Sequence, residues 1–232
     1  MGSKILCIIP ARSGSKGIKN KNIIEVGGHP LLSLTIKDAC ELKLHNLVDV
    51  VIVSTDCNKI ASIAQKYGAS VPFLRPKRIS GDKAKSTDLI LHALDYFKKE
   101  GKFFDAVLLM QPTSPLRGLD ILAKAIKKFE KSGADSLISC YKEEYVNDLV
   151  MYHKKNDLLQ PLNKDHNLGV RRQDHGEVYV RNGSIYIVKT SYLIKTNKII
   201  SDKPILIEMS KSDSINIDTV EDFNILEERL CK

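Results

Sequence analysis

The sequence has no tryptophan, only 6% aromatic residues and no apolar run long enough to cross a bilayer. The apolar stretch at residues 5–9 is short, follows a single lysine and is not followed by a small-residue cleavage site, which argues against a signal peptide. We therefore expect no membrane association, and we interpret this stretch as a first buried strand.

Patterns typical of metal sites and disulfides are also missing. The five cysteines are odd in number and scattered, without a Cys-x-x-Cys pair or a Cys/His spacing typical of zinc. The six histidines show no metal-like spacing, and no Ser/His/Asp triad is recognisable. These absences argue against a disulfide scaffold and a covalent intermediate, and they predict a reduced, cytoplasmic protein.

The charge is positive overall but lacks the pattern of a nucleic-acid-binding protein. There are 36 lysines and arginines against 28 acidic residues, a net charge of +8. The lysines are spread along helix-like segments, with no basic tail and little aromatic interleaving, as on a solvated surface. We expect no nucleic-acid partner, and anionic small molecules explain the charge better.

What the sequence does contain is an alternation of strand and helix patterns over its first half. Continuous apolar runs predict strands at 5–9, 48–53, 71–74, 106–110 and 136–140. Amphipathic spacing predicts helices at 31–42, 59–66, 87–99 and 119–131. Buried strands separated by helices indicate an α/β fold, a Rossmann-like, mostly parallel sheet with helices on both faces. Such sheets bind their ligands at the carboxyl ends of the strands.

The chain also carries local signals for caps, turns and an insertion. Ser54-Thr55-Asp56 is positioned to cap the helix that follows it. Residues 141–180 are polar and lack clear helical periodicity, and we expect a small insertion at about 140–182 within a single 1–232 domain. Asn182-Gly183 between alternating strand residues predicts a hairpin with a type I′ turn. A late strand is expected at 204–208 and a terminal helix at 220–230.

The most informative segment follows the first strand directly: Pro10-Ala-Arg-Ser-Gly-Ser-Lys-Gly-Ile-Lys-Asn-Lys-Asn22. Its glycines and serines let backbone N–H groups approach an anion, and four cations offset the anion's charge: Arg12, Lys16, Lys19 and Lys21. The segment is neither a Walker A loop nor a Gly-x-Gly-x-x-Gly motif. A flexible basic surface loop is the alternative, but the position at the end of a parallel strand favours phosphate binding.

This segment resembles the amino-terminal signature of the N-acylneuraminate cytidylyltransferases, Ala-Arg-x-Gly-Ser-Lys-Gly-Ile-x-x-Lys-Asn, at every fixed position. Further family segments follow in the same order along nearly the whole chain. They are Val53-Ser-Thr-Asp56, Leu74-Arg-Pro76, Gln111-Pro-Thr-Ser-Pro-Leu-Arg117, Arg171-Arg-Gln-Asp174 and Asn182-Gly-Ser-Ile-Tyr186. The resemblance implies an enzyme that joins CTP to an acidic sugar, and a homodimer in which region 140–182 forms the dimerisation element.

On the nucleotide side, the resemblance implies triphosphate ligands in the loop after the first strand: Arg12, Ser15, Lys16 and Lys21. It also implies that Asn22 and Arg75 contact the nucleoside. Pro76 biases Arg75 toward an extended backbone, from which the side chain can be aimed outward. A surface arginine is the alternative for Arg75.

On the sugar side, the resemblance implies four ligands: Gln111, Arg171, Arg172 and Gln173. Paired guanidinium groups suit a carboxylate through bidentate hydrogen bonds, and Arg171 joins Arg12 and Lys21 as a catalytic candidate. For the arginine pair, a solvated surface or an intersubunit salt bridge is the alternative. A strand-end turn residue is the alternative for Gln111, and Arg117 is interpreted as structural.

The metal assignment depends on the segment Ile215-Asn-Ile-Asp-Thr219. The family commonly has Asp-x-Asp here, and the resemblance implies that these acids hold Mg²⁺. Asn216 takes the first position in this chain, and an amide is a weaker ligand for a hard cation. We therefore assign one Mg²⁺ to Asp218, although Thr219 and Glu221 also suit Asp218 as the cap of the following helix.

The expected reaction is attack by the anomeric hydroxyl of a nonulosonic acid, N-acetylneuraminic or legionaminic acid, on the α-phosphorus of CTP. Pyrophosphate is the leaving group. A cytidylyltransferase for another acidic sugar, such as 3-deoxy-manno-octulosonate, is the first alternative. A non-catalytic nucleotide-sensing module is the second, and Asn216 is the feature that supports it.

Overall fold

The computed structural model describes residues 2–14, 18–169 and 176–230. Its strands are, in chain order, β1 (Ile5–Pro10), β2 (Glu25–Val26), β3 (His29–Pro30), β4 (Val50–Ser54), β5 (Ala106–Met110), β6 (Ser136–Glu143), β7 (Tyr152–Lys155), β8 (Leu158–Pro161), β9 (Val178–Lys189) and β10 (Ile205–Glu208). Its helices are α1 (Leu31–Leu44), α2 (Asn58–Lys66), α3 (Ser86–Lys99), α4 (Leu119–Ser132), α5 (Thr190–Thr196) and α6 (Val220–Leu230). Within this described part of the chain, no helix is long and apolar enough to span a membrane.

Six of the strands form the central sheet, in the order β10-β6-β9-β5-β1-β4. β1 pairs in parallel with β4 and β5, and β6 pairs in parallel with β10. β9 lies between β5 and β6 and runs antiparallel to both, so a single reversed strand interrupts an otherwise parallel sheet. The predicted α/β fold with a mostly parallel sheet is confirmed.

Alternating side chains of β1 divide the core into two layers. Ile5, Cys7 and Ile9 pack with α1, α2 and α4, whereas Leu6 and Ile8 pack with α3 and α5. All five side chains are fully buried, and each large aliphatic one stabilises the fold by about 1.5–3 kcal/mol. Helices therefore cover both faces of the sheet, which leaves the loops at the strand ends as the open edge.

The predicted hairpin at Asn182-Gly183 is wrong, because this segment is one continuous strand, β9, with a bulge. β9 pairs with β6 on both sides of the bulge. The Asn182 side chain is buried there: its Oδ1 accepts from Ser139 Oγ at 2.5 Å and its Nδ2 donates to Ser214 Oγ at 2.8 Å. Gly183 adopts a φ of +75°, which glycine tolerates. The two residues that favour a turn thus form a bulge that side-chain hydrogen bonds stabilise.

The predicted strand at 71–74 is reduced to isolated bridges, from Ser70 to Ile52 in β4 and from Leu74 to Thr55, the residue after β4. Phe73 packs edge-on against the ring of His92, with the centroids 4.6 Å apart, while Leu74 is 46% exposed. The bridge at Leu74 still brings the next residue, Arg75, to the end of β4.

The predicted insertion at 140–182 overlaps the sheet at both ends, because β6 extends to Glu143 and β9 begins at Val178. These two residues are direct partners across the strand pair. Residues 144–177 lie between them and are called the insertion below. Within it, β7 and β8 form a separate antiparallel hairpin.

Candidate active site

A cleft of about 370 Å³ opens at the carboxyl ends of β1 and β5, beside the segment that leads into α3. This is the edge at which parallel sheets bind their ligands. Six residues predicted from the sequence line it together: Arg12, Lys21, Asn22, Arg75, Gln111 and Asp218. The fold therefore assembles one site from positions that span most of the chain.

Hydrogen bonds at the peptide group between Arg12 and Ser13, and at the Ser13 side chain, hold the loop after β1. Ser13 donates its backbone N–H and its hydroxyl to Asp56, at 2.9 and 3.0 Å. Asn22 Nδ2 donates to the carbonyl oxygen of Arg12 at 2.9 Å. Asn22 is 7% exposed. Its amide nitrogen thus fixes the loop that presents Arg12.

The contact between Asp56 and Ser13 shows that the predicted cap of α2 by residues 54–56 is wrong. Cys57 is the N-cap of α2, and within the described residues no side chain makes a capping bond. Thr55 Oγ1 accepts the N–H of Cys57 at 3.2 Å, outside the helix proper. Asp56 instead binds Ser13, where its carboxylate receives two hydrogen bonds. A helix cap would have supplied it with fewer donors.

Two of the predicted phosphate ligands form ion pairs with carboxylates. Arg12 Nη1 lies 2.6 Å from Asp82 Oδ1. Lys21 Nζ lies 2.8 Å from Asp218 Oδ1 and 2.6 Å from the carbonyl oxygen of Ile217. Lys21 is only 9% exposed, so its long side chain is held by the surrounding protein. Both cations are therefore oriented by the protein, as electrostatic stabilisation of a reacting phosphate requires.

Arg75 is the most buried of the cleft's cations, with 5% exposure. Its backbone N–H donates to the carbonyl oxygen of Thr55 at 2.7 Å. Its Nε and Nη2 are buried and have no hydrogen-bond partner within the described residues. Burial lowers the pKa of Arg75, and Asp56 partly opposes this shift. Buried unpartnered donors cost about 1–3 kcal/mol or more, so this side chain suits a ligand with acceptor atoms and not the alternative role of a surface arginine.

The loop after β5 combines a cleft residue with a structural one. Gln111 lines the cleft, and its backbone carbonyl accepts a hydrogen bond from Arg117. Arg117 also donates to the carbonyl oxygen of Ser184 at 2.7 Å and to the hydroxyl of Thr35 at 3.0 Å. Burial lowers the pKa of Arg117 to about 10, and Asp38 partly opposes this shift. The predicted structural role of Arg117 is confirmed, because it ties this loop to the bulge in β9 and to α1.

Asp218 reaches the cleft because its neighbours cap the helix. Asp222 Oδ2 accepts the N–H of Thr219 at 2.8 Å and the Thr219 hydroxyl at 2.9 Å. The alternative role of Asp218 as the cap of α6 is therefore wrong. Its side chain instead accepts from Asn216 Nδ2 at 2.5 Å, and Asn216 Oδ1 accepts from Ser114 at 3.3 Å.

The described residues contain no group of three or more histidine, cysteine or acidic side chains that could hold a metal ion. Asp218 lines the cleft with 63% of its side chain exposed, and the other carboxylate of the described lining, Asp82, is paired with Arg12. Such a site fits Mg²⁺, which is often held by one carboxylate, water and the phosphates of a substrate. Asn216 directs its oxygen to Ser114 and its amide N–H to Asp218, so it supports that carboxylate.

Five predicted ligands lie outside the described residues: Ser15, Lys16, Arg171, Arg172 and Gln173. The sequence-based prediction also missed a wall of the cleft, formed by residues in the segment 79–86. A signal for it was present, because this short polar segment follows Arg75-Pro76 and leads directly into α3. Asp82, which pairs with Arg12, belongs to this wall.

Known proteins resemble the chain over most of its length. Residues 6–223 match the family model described as cytidylyltransferase. The chain is 32% identical over 219 residues to the pseudaminic acid cytidylyltransferase of Campylobacter jejuni, with 94% of this chain and 93% of that protein covered. It is 34% identical over 244 residues to the CMP-N,N′-diacetyllegionaminic acid synthase of Legionella pneumophila, with 97% and 95% covered.

A solved structure extends the likeness to the fold. CMP:2-keto-3-deoxy-manno-octonic acid synthetase complexed with CTP matches with a TM-score of 0.71 and covers 99% of both chains. The sequence identity is 14%, so this match concerns the architecture alone.

Proposed function

The chain belongs to the cytidylyltransferase family, and we propose that it transfers CMP from CTP to the anomeric hydroxyl of a nonulosonic acid, releasing pyrophosphate. The observation that carries this proposal is Arg75, whose Nε and Nη2 are buried without a partner among the described residues, in a cleft that also presents Arg12 and Lys21. A pyrimidine base has acceptor atoms for the buried guanidinium. A triphosphate has the negative charge that suits the other two cations.

In this reaction the anomeric oxygen forms a bond to the α-phosphorus of CTP and loses its proton to solvent. The bond from that phosphorus to the bridging oxygen breaks, and pyrophosphate leaves with the electron pair. Phosphoryl transfer depends mainly on positioning and on neutralising charge. Arg12 and Lys21 would supply both, because each is held in place by contacts to the protein.

The acceptor sugar is assigned to the sialic-acid class from the names of the relatives. The sequence predicts N-acetylneuraminic or legionaminic acid, and the Campylobacter relative makes pseudaminic acid a third candidate. Gln111 lies on the cleft, where its amide can bind hydroxyl or acetamido groups. Arg171, Arg172 and Gln173 would complete the sugar site, with a guanidinium on the carboxylate.

Mg²⁺ would be held by Asp218 together with phosphate oxygens of the nucleotide. When bound, the ion neutralises phosphate charge and orients the leaving group. Asn216 and Lys21 hold the two oxygens of Asp218 at the cleft, at 2.5 and 2.8 Å. These contacts favour a single carboxylate ligand in this chain.

We also propose a homodimer formed through the insertion. The insertion exposes a group of large apolar side chains: Tyr145, Val146, Val150, Met151, Tyr152, Leu158, Leu159, Leu162 and Leu168. Apolar surface concentrated in this way is typical of a protein–protein interface. A second copy of the chain is the partner that the family resemblance favours.

A cytoplasmic location is proposed on the basis of the free cysteines. Cys7, Cys40, Cys57 and Cys140 are free thiols within the described residues. Free thiols are typical of a reducing compartment. The proposed substrate CTP is available in the same compartment.

A pyrophosphate-release assay tests the proposed function. The protein is incubated with Mg²⁺, CTP and each of four sugars: N-acetylneuraminic, N,N′-diacetyllegionaminic, pseudaminic and 3-deoxy-manno-octulosonic acid. We expect release with one of the first three, and a strong preference for CTP over UTP, because uracil inverts a hydrogen-bonding group that cytosine presents. Release with the fourth sugar alone would support the first alternative. CTP binding without release would support the nucleotide-sensing module.

A further inference from the structure

Arg12 and Asp82 join two walls of the cleft. Arg12 lies in the loop after β1, Asp82 lies in the segment before α3, and Nη1 and Oδ1 are 2.6 Å apart. Each backbone is fixed by its own contacts. The carbonyl oxygen of Arg12 accepts from Asn22 at 2.9 Å, and Asp82 sits in a turn that the N–H of Ala84 closes on the carbonyl of Gly81 at 3.1 Å. The ion pair therefore connects two independently positioned parts of the site.

A carboxylate beside a triphosphate-binding cation needs an explanation. The charge of Asp82 repels phosphate, so it does not serve attraction. The pair is also a poor source of fold stability, because its side chains are 32% and 43% exposed and water screens their interaction. The remaining role is geometric. Arg12 has a planar guanidinium with five N–H donors, and a contact at Nη1 sets the plane in which the others lie.

We propose that Asp82 is a positioning residue, which holds the Arg12 guanidinium in the orientation in which its remaining N–H groups bind the nucleotide phosphates. This inference rests on the proposed function. A side chain that is already oriented loses less conformational freedom when the ligand binds. Asp82 should therefore contribute to binding of the nucleotide phosphates and not to binding of the nucleoside.

Two other roles predict different results. If Asp82 competes with phosphate for Arg12, its neutralisation should tighten CTP binding. If Asp82 only shapes the wall formed by 79–86, its neutralisation should weaken cytidine and CTP binding alike. Neither role predicts a loss of affinity that occurs only for the ligand with phosphates and only when Arg12 is present.

The test compares Asp82→Asn with the wild type, using calorimetric titration for CTP and NMR titration for the weaker ligand cytidine. Asp95→Asn is the matched control, because Asp95 forms an exposed ion pair with Lys99 at 2.7 Å on α3. We expect Asp82→Asn to weaken CTP binding about tenfold, the size of one charge-assisted contact, and to leave cytidine binding unchanged. In an Arg12→Ala background, Asp82→Asn should have no further effect. Asp95→Asn should change neither ligand.

Unchanged or tighter CTP binding by Asp82→Asn would overturn this role, as would equal losses for CTP and cytidine. A further tenfold loss in the Arg12→Ala background would also overturn it. The wild-type titration separates this inference from the proposed function. If the wild type does not bind CTP, the proposed function itself is contradicted. If the wild type binds CTP and Asp82→Asn binds it equally tightly, only the role of Asp82 is contradicted.

Discussion

The cleft buries charge, whereas the insertion exposes apolar surface. Arg75 and Lys21 are 5% and 9% exposed in the cleft, while Leu158 and Leu159 are 76% and 66% exposed in the insertion. Both regions reverse the usual distribution of residue types between interior and surface. Buried donors suit a ligand with acceptors, and exposed leucines suit another apolar surface. The two reversals therefore match the two proposed tasks, nucleotide binding in the cleft and self-association through the insertion.

The two regions are also attached to the sheet differently. Hydrogen bonds between loop residues hold the cleft, as at Arg12, Asn22 and Asp218. The insertion leaves and rejoins the sheet at the paired residues Glu143 and Val178. Substitutions of its exposed leucines should consequently leave CTP binding unchanged, whereas Arg171, Arg172 and Gln173 of the same insertion belong to the proposed sugar site.

The largest expected effect is on chemistry. Lys21→Ala removes a charge-assisted phosphate contact worth about 1.5–3 kcal/mol, so turnover should fall on the order of 100-fold. Asp218 loses its ammonium partner but is 63% exposed, which lets water solvate it and keeps the fold intact. Steady-state pyrophosphate release measures turnover, and sedimentation checks that self-association is unchanged. Near-wild-type turnover would remove Lys21 from the mechanism.

The complementary substitutions are in the insertion. Leu158→Ser and Leu159→Ser each remove an exposed leucine from β8, and neighbouring strand residues face opposite sides. We expect at least one to weaken the dimer about thirtyfold, because burying a leucine contributes about 2 kcal/mol. Sedimentation equilibrium measures the dimer, and calorimetry should show unchanged CTP binding. Full dimerisation by both variants would contradict an interface on this hairpin.

Arg75→Met separates binding from stability within the cleft. Replacing unpartnered buried donors with an apolar side chain should raise stability by about 1 kcal/mol and weaken CTP binding about tenfold. Arg117→Met is the matched control, because that buried guanidinium donates to Ser184, Thr35 and Gln111. It should lower the melting temperature. Destabilisation by Arg75→Met would show that Arg75 has partners within the fold.

Arg171→Lys tests whether Arg171 binds the sugar or the nucleotide. A guanidinium binds a carboxylate in a bidentate way that an ammonium does not, so the KM for the sugar should rise about tenfold. Calorimetry should show little change in CTP binding, and sedimentation an intact dimer. An intersubunit salt bridge would instead weaken the dimer and affect both substrates. A dimeric variant that binds CTP poorly would assign Arg171 to the nucleotide.

The smallest effect is expected at the base of the insertion. A hydrogen bond from Lys211, at 2.9 Å, and backbone N–H groups of Tyr145 and Glu144 lower the pKa of Glu143 to about 2. A carboxyl group with a lowered folded-state pKa stabilises the fold above its ordinary pKa, and this contribution is lost as the pH falls toward 2. Melting temperatures between pH 5 and about 2 should therefore fall more for the wild type than for Glu143→Gln. Parallel curves would contradict this linkage.

The sheet could be predicted from the sequence because its signals are local. The apolar run at 106–110 coincides with β5, whose five residues are all buried. Asn182 and Asp56 were misread for the opposite reason. Their side chains bind Ser139 and Ser13, each 43 positions away, and such contacts override local turn and cap preferences. No short-range pattern reports a partner at that distance.

The candidate site shows the same difference between features that the sequence predicts and features that depend on contacts between distant residues. Family motifs led to Arg12, Lys21 and Asp218, which the fold does bring to one cleft. Asp82 was not found, because its relation to Arg12 joins residues 70 positions apart and belongs to no motif. That Arg75 Nε and Nη2 find no hydrogen-bond partner in the described part of the chain also depends on how the chain packs. The residue type of Arg75 indicated that it contacts a ligand. Only its burial in the folded chain shows how strongly its donor atoms favour a ligand.

The pairing of Glu143 with Val178 has a consequence for how such proteins diversify. Because the two ends of the insertion sit side by side on neighbouring strands, its length and sequence can vary without shifting the register of the sheet. The proposed self-association surface can therefore diverge between relatives while the strand register of the parent sheet is inherited intact.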